Sequence, residues 1–516
     1  MKDLFLTIDC GTQSTRALVF DKEGTLVAKT KASFTPYYST QTGYCEQHAS
    51  VYWQELCRAT TELTEKYPEV LERVMGVSVT AVRDTHICVD ENYEPLRPVI
   101  MWLDQRKAPF KKQDIPTFKR GIFRLVGMYE AVEKQMQHCS LNWIRQCEPD
   151  IWAKTYKYLS YGDYIEHKLS GCEKYPTAGQ IGHIPIDYRG QKWFKPSDLK
   201  SCMFPVEQEK LFEMVPSGTI LGNITEQASK ETGLPQGLPL VAAGCDKNCE
   251  TIGVGCIDDR SASLSFGTAA SIETTTDSYK EPIPFMPSYP SIIRGKYNPE
   301  IQIYRGYWMI TWFKEQFSRM EEEAAKAEGI TIEEYLDREL PDVPAGSDGL
   351  IVQPFWAPGL KEPEGRGCMI GFNDAHTRKH IYRAIIEGIG FALYDGMLAM
   401  QRKTKRKMEY VTASGGGSSS DIVCQITADI FGLPVKRVQT YETSGLGGAI
   451  VGFYGLGVYD SVESAVKKMV HFSDQVFMPN AKNHERYERI YNTVYKDLYK
   501  KVKPLYVNMQ LNEKKY

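Results

Sequence analysis

The feature that most constrains this chain is a pattern that occurs twice, about 250 residues apart: a strand-like run, a turn built on Gly-Thr, and a second strand-like run. In the first copy, Leu4 to Ile8 and Arg16 to Phe20 flank Cys10-Gly-Thr-Gln-Ser-Thr15, and Asp21-Lys-Glu-Gly24 turns the chain into Thr25 to Ala28, which reads as an antiparallel meander. In the second, Ser261 to Phe266 and Ala269 to Thr274 flank Gly267-Thr268. A strand, turn and strand met twice at this separation predict a duplicated α/β unit. The 516 residues leave ample length for two such units with a core in each.

Composition narrows the function classes. Hydrophobic residues make up 42% and charged residues 25%, the balance of a chain that folds throughout and not that of a disordered one. Lys plus Arg number 62 against 65 Asp plus Glu, a formal charge of −3, so no global field recruits nucleic acid or an anionic membrane, and any anionic ligand has to be held locally. The thirteen cysteines are odd in number and scattered, with no CxxC, which fits reduced thiols in the cytoplasm. Cys245, Cys249 and Cys256 come nearest to a cluster, but no His adjoins them in sequence and they read as core thiols. MKDLFLTIDCG has too short an apolar run for a secretion signal, and no apolar stretch of about eighteen residues offers a membrane span.

Between the strand signals, helices dominate. Ser50 to Tyr67 places Val51, Leu56, Ala59, Thr60 and Leu63 on one face, and strand signals return at Val74 to Val82 and Ile87 to Asp90. Gln180 to Pro216 is rich in aromatic, Pro and Gly residues without a period, so it reads as a loop-heavy insertion of the kind that borders ligand clefts. Gly237 to Gly244 reads as a buried strand followed by a helix, with the domain boundary in or just after that helix. This gives domains 1–248 and 249–516. The lysine-rich tail reads as a solvated helix with a frayed end.

Three glycine-bearing segments can approach a ligand. Asp9-Cys-Gly-Thr-Gln-Ser-Thr-Arg16 puts hydroxyl, amide and backbone N–H groups into one tight turn, where they can converge on phosphate or simply close a polar hairpin. Ser265-Phe-Gly-Thr268 is a second turn of that kind. In Val411-Thr-Ala-Ser-Gly-Gly-Gly-Ser-Ser-Ser420, which stands between the strand-like Glu409 to Val411 and a helix at Asp421 to Phe431, three glycines would admit a flat ligand, or form a flexible loop with a Ser N-cap. That helix carries Ile422, Gln425, Ile426 and Ile430 on its expected inner stripe. No GxxxxGK[ST] loop occurs.

Taken together, DCGTQSTRALVFD, Gly244-Cys-Asp246, SFGT at Ser265 to Thr268, SGGGSSSDIVCQITADIFGLPV and Glu442-Thr-Ser-Gly-Leu-Gly-Gly-Ala449 resemble, in content and in order, the FGGY family of carbohydrate kinases. The resemblance runs from Asp9 to about Gly457. It implies a two-lobed, actin-like ATPase fold of duplicated RNase H-like units with ligands in the interdomain cleft. It also implies ATP and Mg²⁺ as cofactors and γ-phosphoryl transfer to a sugar or polyol hydroxyl.

On local sequence Asp246 reads as an N-cap; on this resemblance it is the catalytic base, a carboxylate able to take the acceptor's proton as the new bond forms. Asp9 is the metal-organising carboxylate, holding Mg²⁺ largely through water, or else a turn-forming Asp. Gly11, Thr12, Gln13, Ser14 and Arg16 fall on one phosphate turn, Gly267 and Thr268 on the opposing one, and Gly415, Gly416, Gly417 and Ser420 on the adenosine loop. Arg83 and Asp84 resemble the pair that grips hydroxyls in glycerol kinase, while Trp102 and Asp104 in Met101-Trp-Leu-Asp-Gln-Arg106 resemble the family's W-x-D-x-R strand end. Carboxylate, guanidinium and indole together suit a polyol.

Two departures bear on the acceptor. Glycerol kinases carry a tyrosine where this chain reads Glu133-Lys-Gln-Met-Gln-His138, and Gln after the base where Lys247 stands here. Xylulokinases carry Met-His-Gly where Arg83-Asp84 stands, and Asn directly after the base, whereas Asn248 is displaced by one. The acceptor is accordingly left as a ketose, polyol or sugar acid. Tyr304, Tyr307, Trp308 and Trp312 either shape a divergent pocket or pack the helix after Gly306. The resemblance also implies a homodimer, for which no segment shows an interface. The competing readings are an actin- or Hsp70-type conformational ATPase and a sugar-sensing pseudokinase.

Overall fold

The computed structural model describes residues 2–357, 359 and 362–513. The strands of its first unit are β1 (Leu4–Cys10), β2 (Ser14–Asp21), β3 (Leu26–Ser33), β4 (Val74–Ala81), β5 (Ile220–Asn223) and β6 (Pro239–Cys245); helix α1 (Ala49–Lys66) follows β3, and α2 (Asp246–Gly253) leaves β6. The second unit contains β7 (Ser261–Phe266), β8 (Ala270–Glu273), β9 (Tyr297–Ile303), α3 (Arg378–Thr404), β10 (Tyr410–Ser414), α4 (Asp421–Phe431) and β11 (Val435–Lys436).

The expected duplication holds at the level of topology. The first sheet runs β5–β6–β4–β1–β2–β3, and in the second the order β9–β8–β7–β10–β11 reproduces β3–β2–β1–β4–β6. In both, a three-stranded antiparallel meander passes its first strand to a parallel neighbour: β1 pairs antiparallel with β2 and parallel with β4, and β7 pairs antiparallel with β8 and parallel with β10. The strands read as near-continuous apolar runs because both faces are covered, and every residue of β1 and of β7 is buried.

The units are not continuous in sequence. The first comprises Met1–Gly253, Tyr289–Gly295 and Ser444–Val470, and the second comprises Val254–Ser288, Lys296–Thr443 and His471–Tyr516. The segments Tyr289–Gly295 and Ser444–Val470 thus pack with the first unit. The reason is visible in the glycines of helix Thr443–Gly455: a Cβ on Gly447 would stand 1.9 Å from the Cys249 carbonyl oxygen, so this helix lies directly against α2.

Helix α1 buries Tyr52, Trp53, Leu56, Ala59, Thr60 and Leu63; Val51 of the expected face is only partly covered, and the stripe is wider and more aromatic than the aliphatic period suggests. Each large side chain so buried contributes about 1.5–3 kcal/mol. Gln180 to Pro216 is, as expected, mostly irregular, with short strands at Ile186–Asp187, Lys192–Trp193 and Glu213–Val215. Two expectations are corrected. The inner face of α4 includes Val423, Cys424, Thr427 and Phe431, with Ile422 and Gln425 only partly buried, because α4 is packed by α3 on one side and by helix Ala481–Ile490 on another. The last helix, Lys496–Glu513, is not fully solvated: Leu498 and Tyr506 are buried, and the Tyr506 hydroxyl donates to Gln353 Oε1 at 3.1 Å. The expected frayed end at 514–516 lies outside the described residues. All thirteen cysteines are free thiols.

Candidate active site

In the first unit, three adjacent parallel strands deliver the candidate residues at one edge. β1 ends at Asp9-Cys10, β4 leads into Val82-Arg83-Asp84, and β6 ends at Cys245 immediately before Asp246, with Cys10 and Cys245 both in register with Ala81. The carboxyl edge of parallel strands is where ligands bind in open α/β sheets. Cys249, one turn into α2, feels this crowding: burial, with the carboxylates of Asp246 and Asp9 adding to it, pushes its thiol up to about 12.

Asp9 is 5% exposed, and its Oδ2 accepts from Arg16 Nη1 at 3.0 Å. The turn that follows is closed by the Gly11 N–H donating to the Ser14 carbonyl at 2.9 Å, leaving Gln13 at the exposed tip. Thr12 is tied to the Met101–Arg106 segment, because Trp102 Nε1 donates to Thr12 Oγ1 at 3.1 Å.

Asp246 opens α2. Its Oδ1 accepts from the Lys247 N–H at 2.8 Å, and its carbonyl accepts from Ser444 Oγ at 3.2 Å. Burial raises its carboxyl above the ordinary aspartate range, and the charges of Lys247 and Arg83 pull back against that rise. Arg83 therefore stands within electrostatic reach of Asp246, and its guanidinium lies over the Tyr289 ring at 5.4 Å. Lys247 pairs with Glu250 at 2.7 Å.

Asp84 has a left-handed backbone (φ 52°), and its carboxylate is held from two directions: Oδ1 accepts from the His183 N–H at 2.8 Å, and Oδ2 meets His183 Nδ1 at 2.7 Å. Burial works against the Asp84 carboxylate, but the charge and hydrogen bond of His183 outweigh it and hold the carboxyl below its usual range. For His183 burial likewise works against the charged form, and Asp84 outweighs it, raising the imidazole above the ordinary histidine value.

Asp104 is placed differently from Asp84. Both its oxygens are engaged: Oδ1 accepts from Arg106 N and Nε, each at 2.8 Å, and Oδ2 accepts from Arg106 Nη2 at 2.8 Å and from the Cys45 N–H at 2.6 Å. The two side chains are 3% and 4% exposed, and the cluster continues through Glu46 to Arg97. Asp104 thus anchors the strand end that presents Trp102.

The second unit arranges its loops in the same manner. β7 and β10 are parallel neighbours, with Ser265 in register with Ser414, so Gly267-Thr268 and Gly415-Gly416-Gly417 leave the same edge. Gly415 has φ +78°, and a Cβ there would lie 3.0 Å from the Phe266 backbone, a position only glycine fills without strain. Gly416 is exposed, and Gly417 packs on Tyr307, whose ring stacks on Phe266 at 4.9 Å. Of the other aromatic residues of that segment, Trp312 packs against Trp356 at 5.4 Å, Trp308 lies under Arg305, and Tyr304 is exposed. Ser420 caps α4, its Oγ accepting from the Val423 N–H at 3.2 Å.

The sequence reading missed several participants: His183, Gln135, Tyr188, Tyr289 and Arg437. Arg437 fixes the glycine loop by donating to the carbonyls of Ser418 and Ser419 at 3.1 and 3.3 Å and to Asp421 at 2.6 Å. The one available signal for His183 and Tyr188 was the aromatic-rich segment that contains them.

The N-terminal domain model of the FGGY family of carbohydrate kinases matches residues 4–253, and the C-terminal domain model matches 262–456. The chain belongs to this family. It is an ATP-dependent carbohydrate kinase, and its fold is the two-domain, actin-like α/β fold of that family. Among curated relatives, the sugar kinase YgcE of Escherichia coli (strain K12) is 29% identical over 506 residues, covering 97% of this chain and 94% of that protein. A xylulose kinase of Staphylococcus epidermidis (strain ATCC 12228) is 28% identical, covering 98% of each. The solved gluconate kinase of Lactobacillus acidophilus superposes with a TM-score of 0.83 at 21% identity, over 98% of this chain and 99% of that one. Among the described residues no helix is long and apolar enough to cross a membrane.

Proposed function

We propose that this kinase transfers the γ-phosphoryl group of ATP to a hydroxyl of a ketose, polyol or sugar acid, with Asp246 as general base. The observation that carries the reading is the setting of Asp246: at the start of a helix, where a parallel strand ends, beside Arg83, with burial lifting its carboxyl toward the working pH. A base is most effective when its pKa approaches that pH, and the helix start adds favourable potential for the phosphate oxygens. Arg83 and Asp84 donate to and accept from acceptor hydroxyls, and the indole of Trp102 offers a face to C–H surface.

Gly11 to Ser14 with Arg16, and Gly267 with Thr268, bind the phosphates; Gly415 to Gly417 and Ser420 bind the adenosine. The same proposal assigns the acceptor side and the base to 1–248 and the adenosine side to 249–516. Asp9, a buried carboxylate at the strand end that opens the phosphate turn, its Oδ2 paired with Arg16, suits Mg²⁺ bound largely through water and phosphate oxygens. When bound, Mg²⁺ would neutralise charge on the phosphates. The reading also carries a cytoplasmic homodimer, which cell fractionation and mass measurement in solution test.

The deciding experiment is ADP release from ATP with D-xylulose, D-gluconate, glycerol and ribitol, in wild type and Asp246→Asn. Asn keeps the shape and loses the proton acceptor, so sugar-dependent turnover falls by about 10²- to 10⁴-fold while ATP binding persists. Undiminished sugar-dependent turnover in the variant overturns the base, and ADP release indifferent to every acceptor overturns the transfer reading.

A further inference from the structure

Phosphoryl transfer explains why Asp84 would be present, but not why it is held so firmly. His183 approaches it from a segment 99 residues away in sequence, with its backbone N–H on one oxygen and its ring on the other. The far side of the ring, Nε2, meets Gln135 Oε1 at 3.1 Å, and the ring edge meets Phe204 at 5.8 Å.

The backbone on both sides is committed to this contact. Asp84 sits at φ 52°, and its N–H donates to the Ile181 carbonyl at 3.2 Å. Gly182 has φ +147°, and a Cβ there would fall 2.4 Å from Asp84 Oδ1. A left-handed backbone at a non-glycine residue such as Asp84 costs about 1–3 kcal/mol and persists where the surroundings over-determine it, whereas Gly182 takes its positive φ freely. The surroundings do so here. Gln180 donates to both oxygens of Asp163 at 3.0 and 3.1 Å, and the Tyr188 hydroxyl bonds the N–H and the carbonyl of Gly182 at 3.0 and 3.1 Å. Tyr188 in turn meets Tyr289, the ring beneath Arg83. The Asp84 and His183 side chains nonetheless remain 28% and 24% exposed, so the pair faces open surface and not the core.

We propose that His183 is a positioning residue for the acceptor: its N–H and Nδ1–H fix both Asp84 oxygens, so that the remaining lone pairs are presented in one orientation to neighbouring hydroxyls of a sugar or polyol. The inference rests on the acceptor-side reading of Asp84 given above. A carboxylate free to rotate would have to be ordered at each binding event; one already ordered binds without that loss. The family resemblance pointed to Arg83 and Asp84 on this side; His183, from the irregular segment after Gln180, and Gln135, from helix Tyr129–Gln137, extend that surface.

The test compares three substitutions. The acceptor among D-xylulose, D-gluconate, glycerol and ribitol with the highest kcat/KM in wild type serves as probe. His183→Ala should raise KM for that acceptor about 10- to 100-fold, the value of a charge-assisted hydrogen bond, with KM for ATP within about twofold of wild type. His183→Asn, whose amide reaches the Nδ1 position, should recover most of the loss. His183→Gln, whose amide reaches only the Nε2 position and Gln135, should not. A role confined to stapling two loops would lower the melting temperature in all three without this split. An unchanged acceptor KM in the alanine variant, or equal rescue by Gln and Asn, overturns the proposal; should the alanine variant fail to fold, the Asn and Gln pair decides. Nitrogen NMR of the His183 ring gives a readout independent of turnover: its titration should lie above that of an ordinary histidine and fall in Asp84→Asn. A ring that titrates normally and ignores that substitution overturns the clamp. If wild type phosphorylates none of the four acceptors, the His183 titration and its response to Asp84→Asn decide the clamp on their own.

Discussion

Replacing Arg106 with Met tests whether the strand end that presents Trp102 is held by charge. The Arg106 guanidinium donates to both Asp104 oxygens at 2.8 Å, pairs with Glu46 at 2.9 Å, and lies over the rings of Tyr44 and Trp143 at 3.9 and 4.6 Å. Breaking a buried ion pair from one side costs about 3–5 kcal/mol because the abandoned carboxylate stays buried, and loss of the two ring contacts adds about 0.5–2 kcal/mol. Against these stand the donors that remain: Cys45 N and the residue 106 backbone N–H still serve Asp104, and Arg97 still serves Glu46. The expected net loss is therefore about 3–5 kcal/mol, a large share of the roughly 5–15 kcal/mol that stabilises a typical domain. Urea unfolding followed by tryptophan fluorescence measures it. Adding Asp104→Asn to Arg106→Met removes the abandoned charge and should restore about 1–3 kcal/mol relative to the sum of the single losses. A loss below about 1 kcal/mol for Arg106→Met, the level of an exposed pair, would refute the reasoning.

Two other perturbations address neighbouring links. Trp102→Phe keeps the ring and removes the 3.1 Å donor to Thr12, so acceptor kcat/KM should fall roughly 2- to 10-fold; unchanged kinetics toward both ATP and acceptor would show that this bond does not matter. His86, buried and stacked on Tyr158 at 4.9 Å, is depressed by burial to about 4. A depressed histidine is neutral in the folded chain, so its contribution is complete above an unfolded value near 6.5 and drains away as pH falls toward 4, about 3 kcal/mol in all. Melting temperatures between pH 7 and 4.5 should fall less steeply in His86→Phe than in wild type, and parallel slopes would count against the assignment.

The parts legible in the sequence are those encoded locally. The meander at Leu4 to Ser33 and its counterpart after Ser261 announce themselves through apolar runs closed by short turns, and the order of five strands that the two sheets share begins with that repetition. The segment Ser444–Val470 was legible as a glycine-rich motif but not as part of the first unit, because a close approach such as Gly447 to Cys249 has no periodic signature. His183, Gln135 and Tyr188 were illegible for the same reason: their partners are fixed by how loops meet, and the segment from Gln180 carries no period to extrapolate. Helix α4 misled in another way. Its aliphatic stripe suggested one buried face, but packing on two sides buries Cys424 and Thr427 as well.

The displaced asparagine after the candidate base shows how one shift in sequence changes a residue's function. At position 248 the side chain is 1% exposed: Oδ1 accepts from Cys245 Sγ at 2.8 Å, and Nδ2 donates to the Pro290 carbonyl at 2.7 Å. On a helix each step turns about 100°, so a residue one position later than its xylulokinase counterpart faces the core and not the Asp246 side. Asn248 thereby ties the segment Tyr289–Gly295 to α2, and that segment carries the ring on which Arg83 lies. Lys247 occupies the position Asn248 has vacated, and its charge opposes the upward pull of burial on Asp246. Asn248 is thus scaffold for the segment whose Tyr289 ring lies under the Arg83 guanidinium, while the Lys247 cation stands beside Asp246, so both the packing and the charge around Asp246 depend on which residue follows it.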